Sequence, residues 1–497
     1  MRLSPASIRA NPPTTSDEDA HFHAQTDEFF KWFIGFPGTT FSDSLNIVDL
    51  RSRNAGRGIM ATQDVPADTV LFTIPRSMIL NPDTFALREP QGKILRAFKD
   101  EHGGPEGQPS PWPLMIMILM SEFFQDQRSR FLPYIEVLPG AFETPMFWTE
   151  EELAQLQASP TRSKIGKDAA EHMFREKIVP FIRKHEHGFE GSERWSDEEL
   201  VSLAHRMGST LMSYAFDFDR DAEPERDEDE EWEEDAEHEA QSTMGMVPMA
   251  DILNADAEFN AHVVHEPDCL TVTSVRTIKA GEEVLNYYGP HPNSELLRRY
   301  GYVTPKHSRY DVVELPWSTI EAAVSTVLSL SPEQTSKAHE YMASKFEDEG
   351  AELEDVFVLE RQYDDPNPDG TFPGPACFTG APEELDEQLK MFLKAVRKTD
   401  ASPAPEKRKR EHVQAAVMLR ALEDTEAAYA TSAMEDEQLL LAGGRDLPAR
   451  LGMAVAVRLG EKELIREARE YYYAAVDGDG DVDMDGDEGN HKRARRG

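Results

Sequence analysis

The chain has 497 residues, 39% of them hydrophobic, a formal net charge of -41 and two cysteines, Cys269 and Cys377. That length can bury a large core and hold two or more domains, and the acidic balance argues against nucleic acid as the main partner and for basic ones. Two cysteines make no disulfide framework or zinc cluster, so a reducing compartment is expected, and no apolar run approaches the roughly 20 residues that cross a bilayer.

Residues 1–22 are dominated by Pro, Ser, Thr and Asp and are predicted to lack structure; the first twenty show no apolar core of a signal peptide. Asp27 to Phe36 reads as an aromatic amphipathic helix. Val70, Phe72 and Ile74 alternate with Leu71 and Thr73 before Pro75, as in a short strand. Arg53 to Gly58 (RNAGRG) reads as a turn between two such strands. From about 83 to 212 the pattern is helical: Leu114, Met117, Ile118 and Ser121 share a face, with Phe124 one turn on. Thr149 followed by Glu152 is a capping-box start.

An acidic run, 217–243, interrupts the chain and is expected to be solvated. Val247 to Val303 follows, with Asp251 and Asn254 in a DxxN turn, two short alternating strands, a Gly-Glu-Glu turn, then Asn286-Tyr-Tyr-Gly289 and Arg299-Tyr-Gly-Tyr302. Residues 311–475 are helical again. Ala415, Met418, Leu419 and Leu422 form one helix face, as do Leu464, Ala468, Tyr471 and Tyr472. Asp- and Pro-rich segments at 364–375 and 399–405 read as loops, and 476–497 as a disordered acidic and basic tail.

Several motifs fail on inspection. Asp481 opens like an EF-hand loop, but its twelfth position would be Lys492, so calcium is not expected. His185, His187, His262 and His265 lack a supporting Cys or carboxylate pattern and read as surface residues, and no metal site is expected. Lys407 to Arg410 and Lys492 to Arg496 are basic clusters of nuclear-import type.

Taken singly, the remaining signals have ordinary explanations. Gly-x-Gly is mostly a turn, Asp251 and Asn254 can cap a helix or form an Asx turn, and buried tyrosines are common in cores. In order, however, Gly56-Arg57-Gly58, Ser213-Tyr-Ala-Phe216, Ala250-Asp-Ile-Leu-Asn254, Asn286-Tyr-Tyr-Gly289 and Arg299-Tyr-Gly-Tyr-Val303 resemble the SET-domain protein-lysine methyltransferases. The split layout with a helical C-terminal part is similar to the Rubisco large-subunit methyltransferase group. The resemblance covers roughly Phe29 to Val303 and extends to Arg458-Leu-Gly-Glu-Lys462.

The resemblance implies an α+β fold: a SET domain at 23–310 of small twisted β-sheets with a pseudoknot, split by the helical insertion at about 83–212, and an all-α substrate-binding domain at 311–475. It implies S-adenosyl-L-methionine as methyl donor, with no metal. Tyr288 takes the catalytic position, its hydroxyl orienting the lysine amine. Gly56, Arg57, Gly58, Tyr214, Asp251, Asn254, Ala255, Tyr288 and Tyr300 take cofactor-binding positions, with Ala255 standing where the family usually has His. Tyr287 is expected to face away from Tyr288, since strand side chains alternate. The implied substrate is a lysine in a basic, non-histone protein, foremost a large-subunit ribosomal protein, with a nuclear location and neither nucleic acid nor membrane as partner. The alternatives are a SET-fold protein that binds basic peptides without catalysis, an acidic chaperone, and a histone-lysine methyltransferase.

Overall fold

The structure, a computed structural model, describes residues 16–53, 55–103, 110–219, 242–349, 353–400, 410–443 and 447–478. The opening helix runs Ser16–Ile34, so the expectation of no structure through residue 22 is corrected from Ser16 onward. Asp17, Glu18 and Asp19 in its first turn complement the positive end of the helix dipole.

Four small sheets follow among the described residues. Strands β1 (Thr40–Phe41), β4 (Val70–Pro75), β7 (Ala261–His265) and β8 (Cys269–Ser274) form an antiparallel sheet in the order β1-β4-β8-β7. Its middle pair joins segments nearly two hundred residues apart, Ile74 opposite Leu270. Strands β2 (Leu45–Asp49) and β3 (Arg57–Ala61) pair with each other, and so do β5 (Ala215–Asp219) and β6 (Ser242–Met246). The acidic run is therefore not structureless throughout: its ends, 217–219 and 242–243, belong to a hairpin, and the rest lies outside the described residues.

Helices from Pro82–Ala86 to Asp197–Tyr214 lie between the two halves of the sheet, as the predicted insertion requires. The helix Pro111–Gln125 is buried from Leu114 to Glu122, so it forms the centre of the insertion rather than an amphipathic cover. Thr149 caps the helix Glu150–Leu153 in a full capping box with Glu152. The sheet and the insertion share one core, in which Ile59, Phe72 and Leu270 meet Phe29, Ile116 and Leu203.

Residues beyond 311 build a second core from Trp317, Phe392, Met418, Leu422 and Leu464. This part is helical but carries an antiparallel pair of strands, β9 (Val313–Pro316) and β10 (Val356–Leu359), with two helices between them in the chain, which the sequence pattern did not disclose. Of the face expected near the end, Leu464, Ala468 and Tyr472 are buried, whereas Tyr471 is 42% exposed. The helix Ala449–Gly478 runs past the expected end of the domain at 475. A third, smaller core ties the parts together: Trp148, Leu153 and Leu156 of the insertion pack with Leu297 and with Ala454 and Val457 of that last helix. No helix among the described residues is long and apolar enough to cross a membrane.

Candidate active site

One chain crossing sets the site. Residues 254–256 lie parallel to Asn286: the Asn286 amide donates to the Asn254 carbonyl at 2.9 Å, and the Asp256 amide donates to the Asn286 carbonyl at 3.2 Å. These are backbone bonds, so Ala255 supports the crossing as well as a histidine would. Asn254 Nδ2 donates to the Arg57 carbonyl at 3.2 Å and to Glu283 Oε1 at 2.7 Å, which pins β3 to the crossing.

The crossing delivers Asn286, Tyr287 and Tyr288 to a cavity of about 690 Å³. Tyr214, Asp251 and Tyr300 also line it, together with Trp112, Phe216, His291, Arg298 and Arg299. Buried among these rings, the Tyr288 hydroxyl donates to the Leu253 carbonyl at 2.7 Å. The Tyr300 ring stacks on Tyr288 with centroids 4.9 Å apart. Tyr300 closes the helix Asn293–Tyr300, and Gly301 caps it in the left-handed region (φ 76°), its amide donating to the Leu296 carbonyl at 3.0 Å. A glycine is needed there both for that backbone and because a Cβ would press on the Glu143–Thr144 peptide at 2.9 Å.

Burial shifts several of the groups around the cavity toward their neutral forms. Burial pushes the Tyr288 hydroxyl well above the usual tyrosine range and Tyr214 up to about 12, so both stay protonated donors. Burial lowers His291 below the usual histidine value, which leaves the ring uncharged at neutral pH. Asp251 is buried, and burial pushes its carboxyl up to about 7 against the opposing bond from Tyr134. Asp251 Oδ2 accepts from the Tyr134 hydroxyl, while Oδ1 has no hydrogen-bond partner among the described residues. The Trp112 indole N–H is likewise buried without a partner.

The sequence-predicted residues divide into two groups. Tyr214, Asp251, Tyr288 and Tyr300 meet at the cavity. Gly56, Arg57, Gly58, Asn254 and Ala255 are not among its lining residues and belong to the layer of strand and crossing beside it. The Gly56 carbonyl accepts from Leu50 at 2.7 Å, and a Cβ on Gly58 would meet Glu283 Oε1 at 2.9 Å. The Arg57 guanidinium is held by Thr26 Oγ1 at 2.9 Å and the Val137 carbonyl at 2.9 Å, with the Phe22 ring 3.9 Å from it. It thus ties β3 to the first helix and the insertion. Tyr287 does turn away from Tyr288, stacking on Phe259 at 5.0 Å and sharing a 3.2 Å bond with the Tyr310 hydroxyl. Trp112, Tyr134, His291 and the Leu253 carbonyl were not anticipated. Asn286 stood in the quoted motif, but nothing in the spacing assigned it a role.

A volume of this size lies within the roughly 300–1,000 Å³ of small-molecule and cofactor sites. Orphaned polar atoms on two lining residues, Asp251 Oδ1 and Trp112 Nε1, fit a cavity built to receive a polar ligand.

Comparison with known proteins agrees with this architecture. Residues 56–289 match the SET domain family model, and residues 377–465 match the Rubisco LSMT substrate-binding family. Ribosomal lysine N-methyltransferase 4 of Saccharomyces cerevisiae is 34% identical over 316 residues, 63% of this chain and 62% of that protein. N-lysine methyltransferase SETD6 of Homo sapiens is 31% identical over 256 residues, 50% of this chain and 49% of its own length. The chain thus spans about half to under two thirds of these curated relatives. The solved structure of Rubisco LSMT bound to AdoMet superposes with a TM-score of 0.60 at 19% identity, covering 93% of this chain and 97% of that one. At that identity the likeness speaks to the fold.

Proposed function

We propose that this chain, which carries a SET domain followed by a Rubisco LSMT substrate-binding domain, is an S-adenosylmethionine-dependent protein-lysine N-methyltransferase. The observation that carries the reading is Tyr288. Its neutral hydroxyl is fixed on the Leu253 carbonyl and its ring is stacked against Tyr300 in the wall of a cofactor-sized cavity.

Bound in the cavity, S-adenosylmethionine supplies an electrophilic methyl group on a sulfonium and leaves as S-adenosylhomocysteine. The rings of Tyr214, Phe216, Tyr288 and Tyr300 line the cavity, an aromatic surround that suits a sulfonium. The same enclosure lowers the pKa of a buried lysine, favouring the neutral amine. The Tyr288 hydroxyl donates its hydrogen bond to the Leu253 carbonyl and keeps its oxygen lone pairs for the amine N–H. That aims the nitrogen lone pair at the methyl carbon; the new C–N bond forms as the C–S bond breaks, and the surplus amine proton passes to solvent. Positioning of this kind supplies much of the rate.

The substrate proposed is a lysine of a strongly basic protein, first a large-subunit ribosomal protein. The name of the yeast relative, ribosomal lysine N-methyltransferase 4, and the charge of -41 support it. A nuclear location is proposed from the two basic clusters, Lys407 to Arg410 and Lys492 to Arg496, and import of a fluorescent fusion lacking both checks it. The activity is tested by incubating the purified chain with methyl-labelled S-adenosylmethionine and free large-subunit ribosomal proteins, then mapping label by mass spectrometry. Label on a defined lysine is expected. Cofactor binding without transfer to any basic protein would favour the non-catalytic reading.

A further inference from the structure

The turn that presents the Leu253 carbonyl to Tyr288 is strained. Met249 opens it at φ 80° and ψ -41°, a region that side-chain-bearing residues rarely adopt. Such conformations persist only where the surroundings over-determine them, and they cluster at functional sites. Inside the turn the bonds are long: Asp251 N to the Val247 carbonyl, Ile252 N to Met249 and Leu253 N to Ala250 are each 3.2 Å.

An outside anchor is visible in the insertion. The Tyr134 hydroxyl donates to Asp251 Oδ2. Tyr134 is 1% exposed, in the helix Leu132–Val137. Its ring is fixed by Trp32, stacked at 6.4 Å with 12° between planes, and by Phe29 at 6.2 Å. Both belong to the first helix. Asp251 lies two residues before Leu253, whose carbonyl receives the Tyr288 hydroxyl at 2.7 Å.

We infer that Tyr134 and Asp251 are positioning residues: their hydrogen bond holds the strained 249–253 turn in the register that aims the Leu253 carbonyl at Tyr288. The inference rests on the proposed role of Tyr288. It gives Tyr134, a residue of the helical insertion that does not line the cavity, a part in the chemistry. The insertion, braced by the first helix, sets the angle of the hydroxyl through one side-chain pair and one carbonyl.

The test uses the full chain and a double-mutant cycle of Tyr134→Phe, Asp251→Ala and their combination, with Asp251→Asn as the conservative variant. Tyr134→Phe keeps the ring in its packing, so folding is expected to survive. Hydrogen exchange of a peptide spanning residues 247–256 is read first, because it needs no activity. Faster exchange there in Tyr134→Phe, with the β4–β8 peptides unchanged, supports the link; wild-type protection overturns it. In labelled methyl transfer, kcat is expected to fall about tenfold, as misplacement of a reacting geometry does, with KM for substrate held within about twofold. The double variant should lose no more than the worse single one, since the two groups act as a unit. Asp251→Asn, which can still accept from Tyr134, should recover most of what Asp251→Ala loses. Additive losses, or a lower Tm with wild-type kcat, would reduce the pair to ordinary core. Absent transfer by the wild type would sink the methyltransferase reading, while the exchange result would still decide the link.

Discussion

Tyr288 and Tyr300 stack at 4.9 Å with 28° between their planes. One sits just past the crossing with residues 254–256, the other at the last turn of a helix stopped by Gly301. The contact makes one wall from two independent devices, so each ring limits the freedom of the other. The hydroxyl bond of Tyr288 to Leu253 then fixes its remaining rotation.

Tyr288→Phe removes that hydroxyl and leaves the stack. Losing one oriented hydrogen-bonding group at a reacting centre costs about 100-fold or more in kcat. The variant is expected to keep its melting temperature and its affinity for S-adenosylhomocysteine by calorimetry. Turnover near wild type would remove Tyr288 from the chemistry.

Gly58→Ala tests the seat of the crossing. A Cβ at this position would run into Leu50 Cδ1 and come within 2.9 Å of Glu283 Oε1 and 3.1 Å of Asn254 Nδ2. Overpacking of this sort costs about 1–3 kcal/mol. The expected outcome is a lower denaturant midpoint with unchanged slope, and weaker cofactor binding because Asn254 is displaced. An unchanged midpoint would mean that Leu50 and Glu283 give way freely.

Much of this site was legible in the sequence, and the limit was physical. Tyr288, Tyr300, Tyr214 and Asp251 were reached through the ordered family motifs in which they stand, not through their local signals, which taken singly read as turns, caps and core. The family resemblance implied a cofactor position for Arg57, and its guanidinium is taken up by Thr26 and Val137, far away in sequence. Tyr134 and Trp112 come from the insertion, whose period shows helices but not which residue reaches back to the cavity. The β9–β10 pair escaped because four-residue strands are too short for a period to show.

The motif Arg458-Leu-Gly-Glu-Lys462 gains a structural meaning. Asp436 accepts from Arg458 at 2.7 Å and Lys462 at 2.5 Å, with all three side chains at most 2% exposed. Asp436→Ala leaves two cations buried without their carboxylate. Breaking such a cluster from one side costs about 3–5 kcal/mol. Chemical denaturation should show that loss, first in the helices beyond 410. A loss under about 1 kcal/mol would indicate that water enters and solvates both cations.

Glu461 in the same motif gives a pH signature. It accepts from Ser159 at 2.6 Å and Tyr429 at 2.7 Å, and burial still pushes its carboxyl up to about 7. In the unfolded chain a glutamate titrates near 4.3. Between those values the folded state binds more protons, so this contribution is full below about pH 4.3 and is lost as pH rises through about 7. Wild-type Tm should therefore carry a downward component from pH 5 to 8. Glu461→Gln should remove that component, and equal slopes in the two proteins would show that Glu461 is already ionised at pH 5.

The last prediction concerns the acidic run between β5 and β6. Deleting Glu223 to Glu239 removes twelve acidic residues and one arginine and leaves five residues between Asp219 and Ser242, which face each other in the hairpin. Five residues close a hairpin readily, and each halving of a loop relieves only about 0.6 kcal/mol of closure entropy. Tm should therefore hold or rise slightly. Catalysis should respond differently. Ala215, Phe216 and Asp217 of β5 and Met244 of β6 line the cavity, so the hairpin that carries the run also forms part of the site wall. Negative charge tethered there raises the local concentration of a basic substrate, an effect that fades as the Debye length shrinks from about 10 Å at 0.1 M to about 3 Å at 1 M salt. The deletion is expected to lower kcat/KM for a free ribosomal protein at low salt, to leave kcat unchanged, and to flatten the salt dependence. Loss of kcat itself would mean that the run supports the site directly, and a salt profile identical to wild type would show that capture depends on charge elsewhere on the chain.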